Sequence, residues 1–329
     1  LNGVMNEWHL QHITQLALSG AGLVMIESTA IEKVGRITHY CTGLYDTKCE
    51  FSIKSVMKNV KKIALPTTKF GIQLGHAGRK ASTQRPWEGR KFLNDKEYPW
   101  QTYAPSPIPF DNNWHVPKEI KSKDFSRIKK AYVKAAIRAV DVGFDLIEIH
   151  AAHGYLLHQF LSPISNKRTD NYGGNLENRM RFPLEVFDAI KTVIKNVPIG
   201  MRITGTEWEE GGFNIQESII FANELRELGC NYVCVSSAGN TPNPKIPLKP
   251  HYQVHLAEDI KKNVKILTRT VGMITIPKMA NDILLNGQAD MVALGRAFLT
   301  NPRWVWDAAN LLGEEIEIPN QYKRRFKKL

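Results

Sequence analysis

Two histidines three positions apart, with a tyrosine two residues further on, close a short apolar run: Ile147-Glu148-Ile149-His150-Ala151-Ala152-His153-Gly154-Tyr155. Imidazole N–H groups donate hydrogen bonds to a carbonyl or an anion, and a phenol delivers a proton. Residues 146–149 read as a buried strand, which places His150 at its carboxyl end and His153 and Tyr155 in the loop beyond. In a parallel α/β barrel that rim is where chemistry is done. A single histidine in such a place is more often a hydrogen-bonded core residue. Three donors at one strand end make a site the stronger reading.

Further polar residues fall at the ends of other apolar runs. Gln73 lies in a strand that feeds Gly75-His76-Ala77-Gly78-Arg79-Lys80. Arg202 interrupts an otherwise apolar strand, and Ser236-Ser237-Ala238-Gly239 ends the next. The last two strands finish in Gly272-Met273 and Gly295-Arg296, each leading into a helix. Paired glycine turns after the last two strands are where barrels of this kind hold a phosphate, on backbone N–H groups. A phosphorylated cofactor is therefore expected there.

The elements that position these residues repeat. Four times a helix gives way to glycine, a few small or polar residues, and a buried strand: around Gly20 before 23–26, Gly143 before 146–149, Gly229 before 232–235, and Gly287 before 291–294. Glycine in a left-handed conformation ends a helix without steric cost, and the apolar runs suit strands covered on both faces. Further strands read at 70–74, 199–203 and, more weakly, 266–271. Helices read at 9–20, 46–64, 124–142, 177–196, 216–228, 252–263, 277–286 and 302–312. In the third, Phe125, Ile128, Tyr132, Ala135 and Ala139 share one face, with Ser122 or Asp124 as the expected cap. Seven strands alternating with eight helices predict an α/β fold, a (β/α)8 TIM barrel in one domain spanning 1–329. Its first strand is expected upstream of Leu1. A proline- and tryptophan-rich loop, 83–118, follows the strand at 70–74, the third of the complete barrel. Its length and its three tryptophans suggest a lid with buried rings. Residues 313–329 form a basic tail.

The net charge of +12 comes mainly from lysine, and no groove-reading or single-strand-binding motif accompanies it, so a solvated basic surface is expected rather than nucleic-acid binding. With 43% hydrophobic and 23% charged residues the composition is that of a soluble globular protein, and no apolar run is long enough to cross a membrane. Cys41, Cys49, Cys230 and Cys234 make no CxxC pair, so no metal site or disulfide framework is expected. That usage, with no signal segment in view, points to the cytoplasm.

The central run His150-Ala151-Ala152-His153-Gly154-Tyr155, continued by Leu161-Ser162-Pro163-Ile164-Ser165-Asn166-Lys167-Arg168-Thr169-Asp170-Asn171-Tyr172-Gly173-Gly174, resembles the old yellow enzyme family of flavin-dependent ene-reductases. The stretches around Gln73, Gly272 and Gly295-Arg296 resemble it too. The Gly78-Arg79-Lys80-Ala81 segment and the ending Gln321-Tyr322-Lys323-Arg324 are similar to its thermophilic-like branch. The resemblance implies FMN held by Ser28 (through its backbone), Gln73, Arg202, Gly272, Met273, Gly295 and Arg296, with NADPH or NADH as hydride donor. It implies that His150 and His153 grip the carbonyl of an α,β-unsaturated substrate and that Tyr155 is the acid. It also implies a homodimer or homotetramer in which Arg324 enters the neighbour's site. Two alternatives stand beside this reading: the barrel portion of a 2,4-dienoyl-CoA reductase, and a non-catalytic flavin-binding remnant.

Overall fold

A computed structural model describes residues 2–326 of the chain. The last residues of the basic tail, from Lys327, lie outside the described residues. In chain order the elements are α1 (Glu7–Ala17), β1 (Leu23–Ala30), α2 (Thr47–Ile63), β2 (Lys69–Gly75), β3 (Tyr103–Ala104), β4 (Lys118–Glu119), α3 (Ser122–Val142), β5 (Leu146–Ala151), α4 (Leu156–Leu161) and α5 (Leu176–Val193). They continue with β6 (Ile199–Thr204), α6 (Ile215–Glu227), β7 (Tyr232–Ser236), α7 (Val254–Asn263), β8 (Leu267–Thr270), α8 (Pro277–Leu285), β9 (Met291–Val292), α9 (Arg296–Thr300) and α10 (Trp304–Leu312).

Seven strands form one parallel sheet in the order β1-β2-β5-β6-β7-β8-β9, and β3 and β4 pair separately inside the long loop. Because each connection between sheet strands runs through at least one helix, all strands point the same way and their carboxyl ends share one rim. This is the fold class expected of a TIM barrel. Among the described residues, β1 and β9 remain its two edges rather than pairing with each other. The seven strands and eight helices read from the sequence are all present. Two helices had no signal. In α4 every residue is buried, so it lacks the polar face that makes a helix visible in a sequence, and α9 has five residues.

Strand side chains alternate between the helix layer and the inner face. In β5, Ile147 and Ile149 join the common apolar core with Ile72, Leu74, Met201, Val233 and Phe160. Glu148 and His150 therefore face the other side. In α3, Phe125, Ile128, Tyr132, Ala135 and Ala139 are buried as the spacing predicts. Its cap differs from expectation: Lys121 is the N-cap, and Asp124, inside the first turn, accepts from the Lys121 backbone N–H at 3.1 Å. The four helix-ending glycines, Gly20, Gly143, Gly229 and Gly287, all have positive φ, between 68° and 93°.

The loop 83–118 is strapped down at several points. Trp100 Nε1 donates to the Val34 carbonyl at 3.0 Å and His39 Nε2 is 2.8 Å from the Glu97 carbonyl oxygen, while within the loop Phe110 and Trp114 pack edge to face. Trp87, expected to be buried, is 76% exposed, and the Arg85 guanidinium lies over its ring. A cation over an aromatic face covers apolar area that burial would otherwise remove from water.

Behind the rim, Glu32 joins the loop after β1 to two other elements. It accepts from His76 Nε2 at 2.9 Å and from Arg127 of α3, while Arg127 also meets Asp124 at 3.2 Å. Burial works against the carboxylate, yet the hydrogen bonds from His76 and Arg127 outweigh it and hold its pKa at about 2. The stability this carries is complete above the unfolded value of 4.5 and disappears as pH falls through about 2. The shift corresponds to about 3 kcal/mol. Glu32→Gln is expected to lose about that much at pH 7 in denaturant titrations, with the deficit shrinking from pH 4.5 downward. A deficit that stays constant with pH would assign the loss to packing instead.

Candidate active site

The register of the sheet brings the candidate residues to one rim. His150 of β5 lies opposite Arg202 of β6, and Gln73 of β2 opposite Glu148 of β5. A Cβ built on Gly75 would sit 3.0 Å from Ser28 Oγ and 3.3 Å from His150 Cβ, so the ends of β1, β2 and β5 converge. The His150 ring is edge-on to both His153 and Tyr155, with centroids 5.2 and 4.9 Å away. The three donors picked out in the sequence are therefore neighbours in space.

Both imidazoles are uncharged at neutral pH. Burial, with the Arg202 guanidinium alongside, lowers the pKa of each well below the ordinary histidine value. His150 Nδ1 accepts the Ala152 backbone N–H at 3.2 Å. Its proton therefore resides on Nε2, which no described residue engages. His153 is held with φ of +57°, its backbone N–H donated to Thr204 Oγ1 at 3.2 Å and its Nε2 2.7 Å from Ser236 Oγ. Burial, reinforced by Cys41, pushes the Tyr155 phenol up to about 12, so it keeps its proton. Two neutral N–H groups and a protonated phenol can polarise an oxygen and supply a proton without placing a net charge in the cleft.

The Arg202 guanidinium makes no hydrogen bond to any described residue, and its buried Nε has no partner among them. A guanidinium left with free donors at a strand end is suited to an anion from outside the chain. Gln73 differs: its Nε2 donates to Glu148 Oε1 at 2.7 Å, which leaves its amide oxygen as the free atom. Gly272, with φ of +113°, and Met273, with φ of +52°, form the turn after β8. Gly295 and Arg296 are exposed after β9, and Gly295 has open space where a Cβ would be. Arg324 is exposed in the turn Asn320–Phe326, with no hydrogen bond or ion pair among the described residues.

Several residues of the site carried no such signal. Lys80 Nζ donates to the carbonyls of His153 and Gly239, at 2.9 and 2.6 Å, and lies over the rings of Phe110 and Tyr155. Burial, with Arg79 beside it, lowers the Lys80 ammonium to about 7. Gln253, at the start of α7, reaches Ser236, Ser237 and the Val271 carbonyl. Behind these, Glu207 is raised by burial to about 7, although the Phe213 N–H and the Ser162 hydroxyl both donate to it. Lys80, Ser236 and Ser237 stand in stretches that the strand ends already mark. Gln253 stands in none, because only the fold brings it to the rim.

The chain matches the NADH:flavin oxidoreductase / NADH oxidase family over residues 1–315. The NADPH dehydrogenase of Listeria innocua serovar 6a is 38% identical over 326 residues, covering 99% of this chain and 90% of the relative. That of Geobacillus thermodenitrificans is 38% identical over 323 residues, covering 98% and 89%. Among solved structures, morphinone reductase in complex with tetrahydroNAD is 28% identical, with a TM-score of 0.75 over 97% of this chain and 85% of that one. A 2-naphthoyl-CoA reductase complex shares the fold at a TM-score of 0.81 and 23% identity, and this chain spans 48% of its length.

Arg79 ties the long loop to the rim. Its guanidinium donates to the carbonyls of Ile108, Pro109 and Asn240. Hydrogen bonds from a charged donor are worth about 1.5–3 kcal/mol each. Arg79→Met is expected to speed proteolytic cleavage within 83–118 by about tenfold or more, while the remainder of the chain stays resistant. An unchanged cleavage rate would show that the loop is held by its other straps alone.

Proposed function

The chain belongs to the NADH:flavin oxidoreductase / NADH oxidase family, and we propose that it is an ene-reductase, an FMN-dependent NADPH oxidoreductase that reduces the C=C bond of α,β-unsaturated carbonyl compounds. The observation that carries this reading is the convergence on one strand end of two neutral imidazoles and a protonated phenol. An enone presents one oxygen that must be polarised and one carbon that must be protonated, and this set has groups for both.

The residues present fit FMN. Arg202, whose guanidinium has no acceptor among the described residues, suits the negative charge that a flavin takes on when reduced. The free amide oxygen of Gln73 is an acceptor for a ring N–H, Ser28 stands at the same convergence of strand ends, and Gly272, Met273, Gly295 and Arg296 follow the last two strands, where barrels of this kind hold a phosphate. FMN bound here would supply the hydride chemistry of a ping-pong cycle, from NADPH to the alkene's β-carbon.

The chain's own part is to bind and to move a proton. His150 Nε2–H and the His153 imidazole take the substrate oxygen and draw electron density from the alkene. Tyr155 gives its proton to the α-carbon and recovers one from solvent. Lys80, bound to the His153 carbonyl, fixes the turn that presents these groups. The aromatic side of the 83–118 loop, anchored through Phe110 and Arg79, excludes water from them.

By the same reading the protein is a homodimer or homotetramer, and Arg324, exposed and with no partner among the described residues, reaches the site of the neighbouring copy. Arg324→Ala is expected to raise KM for an enone about tenfold with the fold intact. Unchanged kinetics in a protein that sediments as a monomer would remove that assignment. For the chemistry itself, Tyr155→Phe is expected to slow reoxidation by cyclohexenone about 10²–10⁴-fold while leaving flavin reduction by NADPH at the native rate. Stopped-flow measurement of the two half-reactions separates them. Reoxidation at the native rate would mean that Tyr155 is not the acid.

A further inference from the structure

His153 has two ring nitrogens, and the proposed grip on a substrate oxygen needs its proton on the one that faces no protein group. Its Nε2 is 2.7 Å from Ser236 Oγ, and its Nδ1 is engaged by no described residue. Where the proton resides is decided by the hydroxyl and amide groups behind it.

Gln253 fixes the direction of that chain. Its Nε2 is 3.2 Å from the Val271 carbonyl, which can only accept, so the amide oxygen must face the two serines. Trp208 Nε1, a donor only, gives its N–H to Ser237 Oγ at 2.8 Å. Ser237 therefore sends its own proton onward, to Gln253 Oε1 at 2.6 Å. That oxygen thus has a short, strong donor already. Ser236 Oγ lies 3.3 Å from the same oxygen. That is a long contact to an acceptor Ser237 already engages, whereas His153 Nε2 lies closer, at 2.7 Å, and a bare imidazole nitrogen accepts a hydroxyl proton readily. The Ser236 proton accordingly goes to His153 Nε2.

We infer that Ser236 is a positioning residue: its hydroxyl donates to His153 Nε2, confines the imidazole proton to Nδ1, and so sets a second free N–H beside that of His150. The two imidazoles then use opposite nitrogens, His150 donating through Nε2 because the Ala152 N–H occupies its Nδ1, and His153 through Nδ1 because Ser236 occupies its Nε2. One hydroxyl converts a loop histidine into the partner of a strand histidine. The proton's location is independent of any substrate; the purpose assigned to it rests on the enone reading above.

Two measurements test this. In protein labelled with ¹⁵N-histidine, long-range ¹H–¹⁵N correlation spectra show which nitrogen of each ring is protonated, and the His153 signals are assigned by their loss in His153→Gln. The native protein is expected to show His153 protonated on Nδ1 and bare on Nε2. Ser236→Ala should move proton population to Nε2, and Ser236→Thr, which keeps the hydroxyl, should retain the native pattern. Native His153 protonated on Nε2 overturns the inference without recourse to any variant, as does an unchanged tautomer in Ser236→Ala. The second measurement is binding of 4-nitrophenol, followed by absorbance. Its Kd should rise about tenfold in Ser236→Ala, the equivalent of about one hydrogen bond, and change by less than about threefold in Ser236→Thr. If 4-nitrophenol does not bind the native protein while the spectrum shows the Nδ1–H form, the Ser236 assignment stands and the enone reading falls.

Discussion

One carboxylate inside the sheet sets the geometry on which the rim depends. Glu148 is 1% exposed and accepts from three residues on three other strands: Gln73 of β2, Tyr232 of β7 and Arg269 of β8. A charge so far from water survives only with its partners aligned, and removing any one leaves others buried and unpaired. The group spans the sheet from its second strand to its sixth, so it ties distant strands as the backbone ladder ties adjacent ones. Gly200 permits this. A Cβ there would meet the Tyr232 ring at 2.1 Å, so only glycine lets the phenol cross β6 to reach the carboxylate.

The site stands directly above that layer. Gln73 is fixed by Glu148, and two residues beyond Glu148 on the same strand His150 faces the same side as the carboxylate, in register with Arg202. A shift of one residue in β5 would turn both His150 and Glu148 into the helix layer and bring Ile147 and Ile149 to the inner face. The buried ion pair and the candidate site at the rim thus share one register, and the energetic cost of displacing the first protects the second.

How much of this the sequence reveals follows from what each feature leaves in it. Buried parallel strands and glycine-ended helices leave contiguous apolar runs and fixed punctuation, so the order of βα units is legible residue by residue. His150, His153 and Tyr155 are legible because they follow one strand closely. The roles of Ser236, Gln253 and Lys80 are not, since each depends on which loops meet, with sequence separations of 17 between Ser236 and Gln253 and 73 between Lys80 and His153. Glu148 reads as an isolated polar residue in an apolar strand, and nothing in the sequence tells of its three partners. Trp87 misleads in the opposite sense, because its ring stays largely exposed, with the Arg85 guanidinium over one face in place of a core.

The rim also holds backbone strain, and its location has a cause. His153 and Ala238 both adopt positive φ, a conformation that costs a residue with a Cβ about 1–3 kcal/mol. They flank a place where two loops interlock: a Cβ on Gly154 would lie 2.2 Å from the Gly239 carbonyl oxygen, and one on Gly239 would lie 2.7 Å from that of His153. Two carbonyls forced together repel unless a donor lies between them. Lys80 is that donor, with its ammonium bonded to both oxygens and its other faces covered by Phe110 and Tyr155. The strained turn, the clasp across the two loops and the lid therefore form one assembly. The Tyr155 phenol packs against the same lysine that closes it, so any loosening of the 83–118 loop is felt at Tyr155 through Lys80 rather than through the sheet.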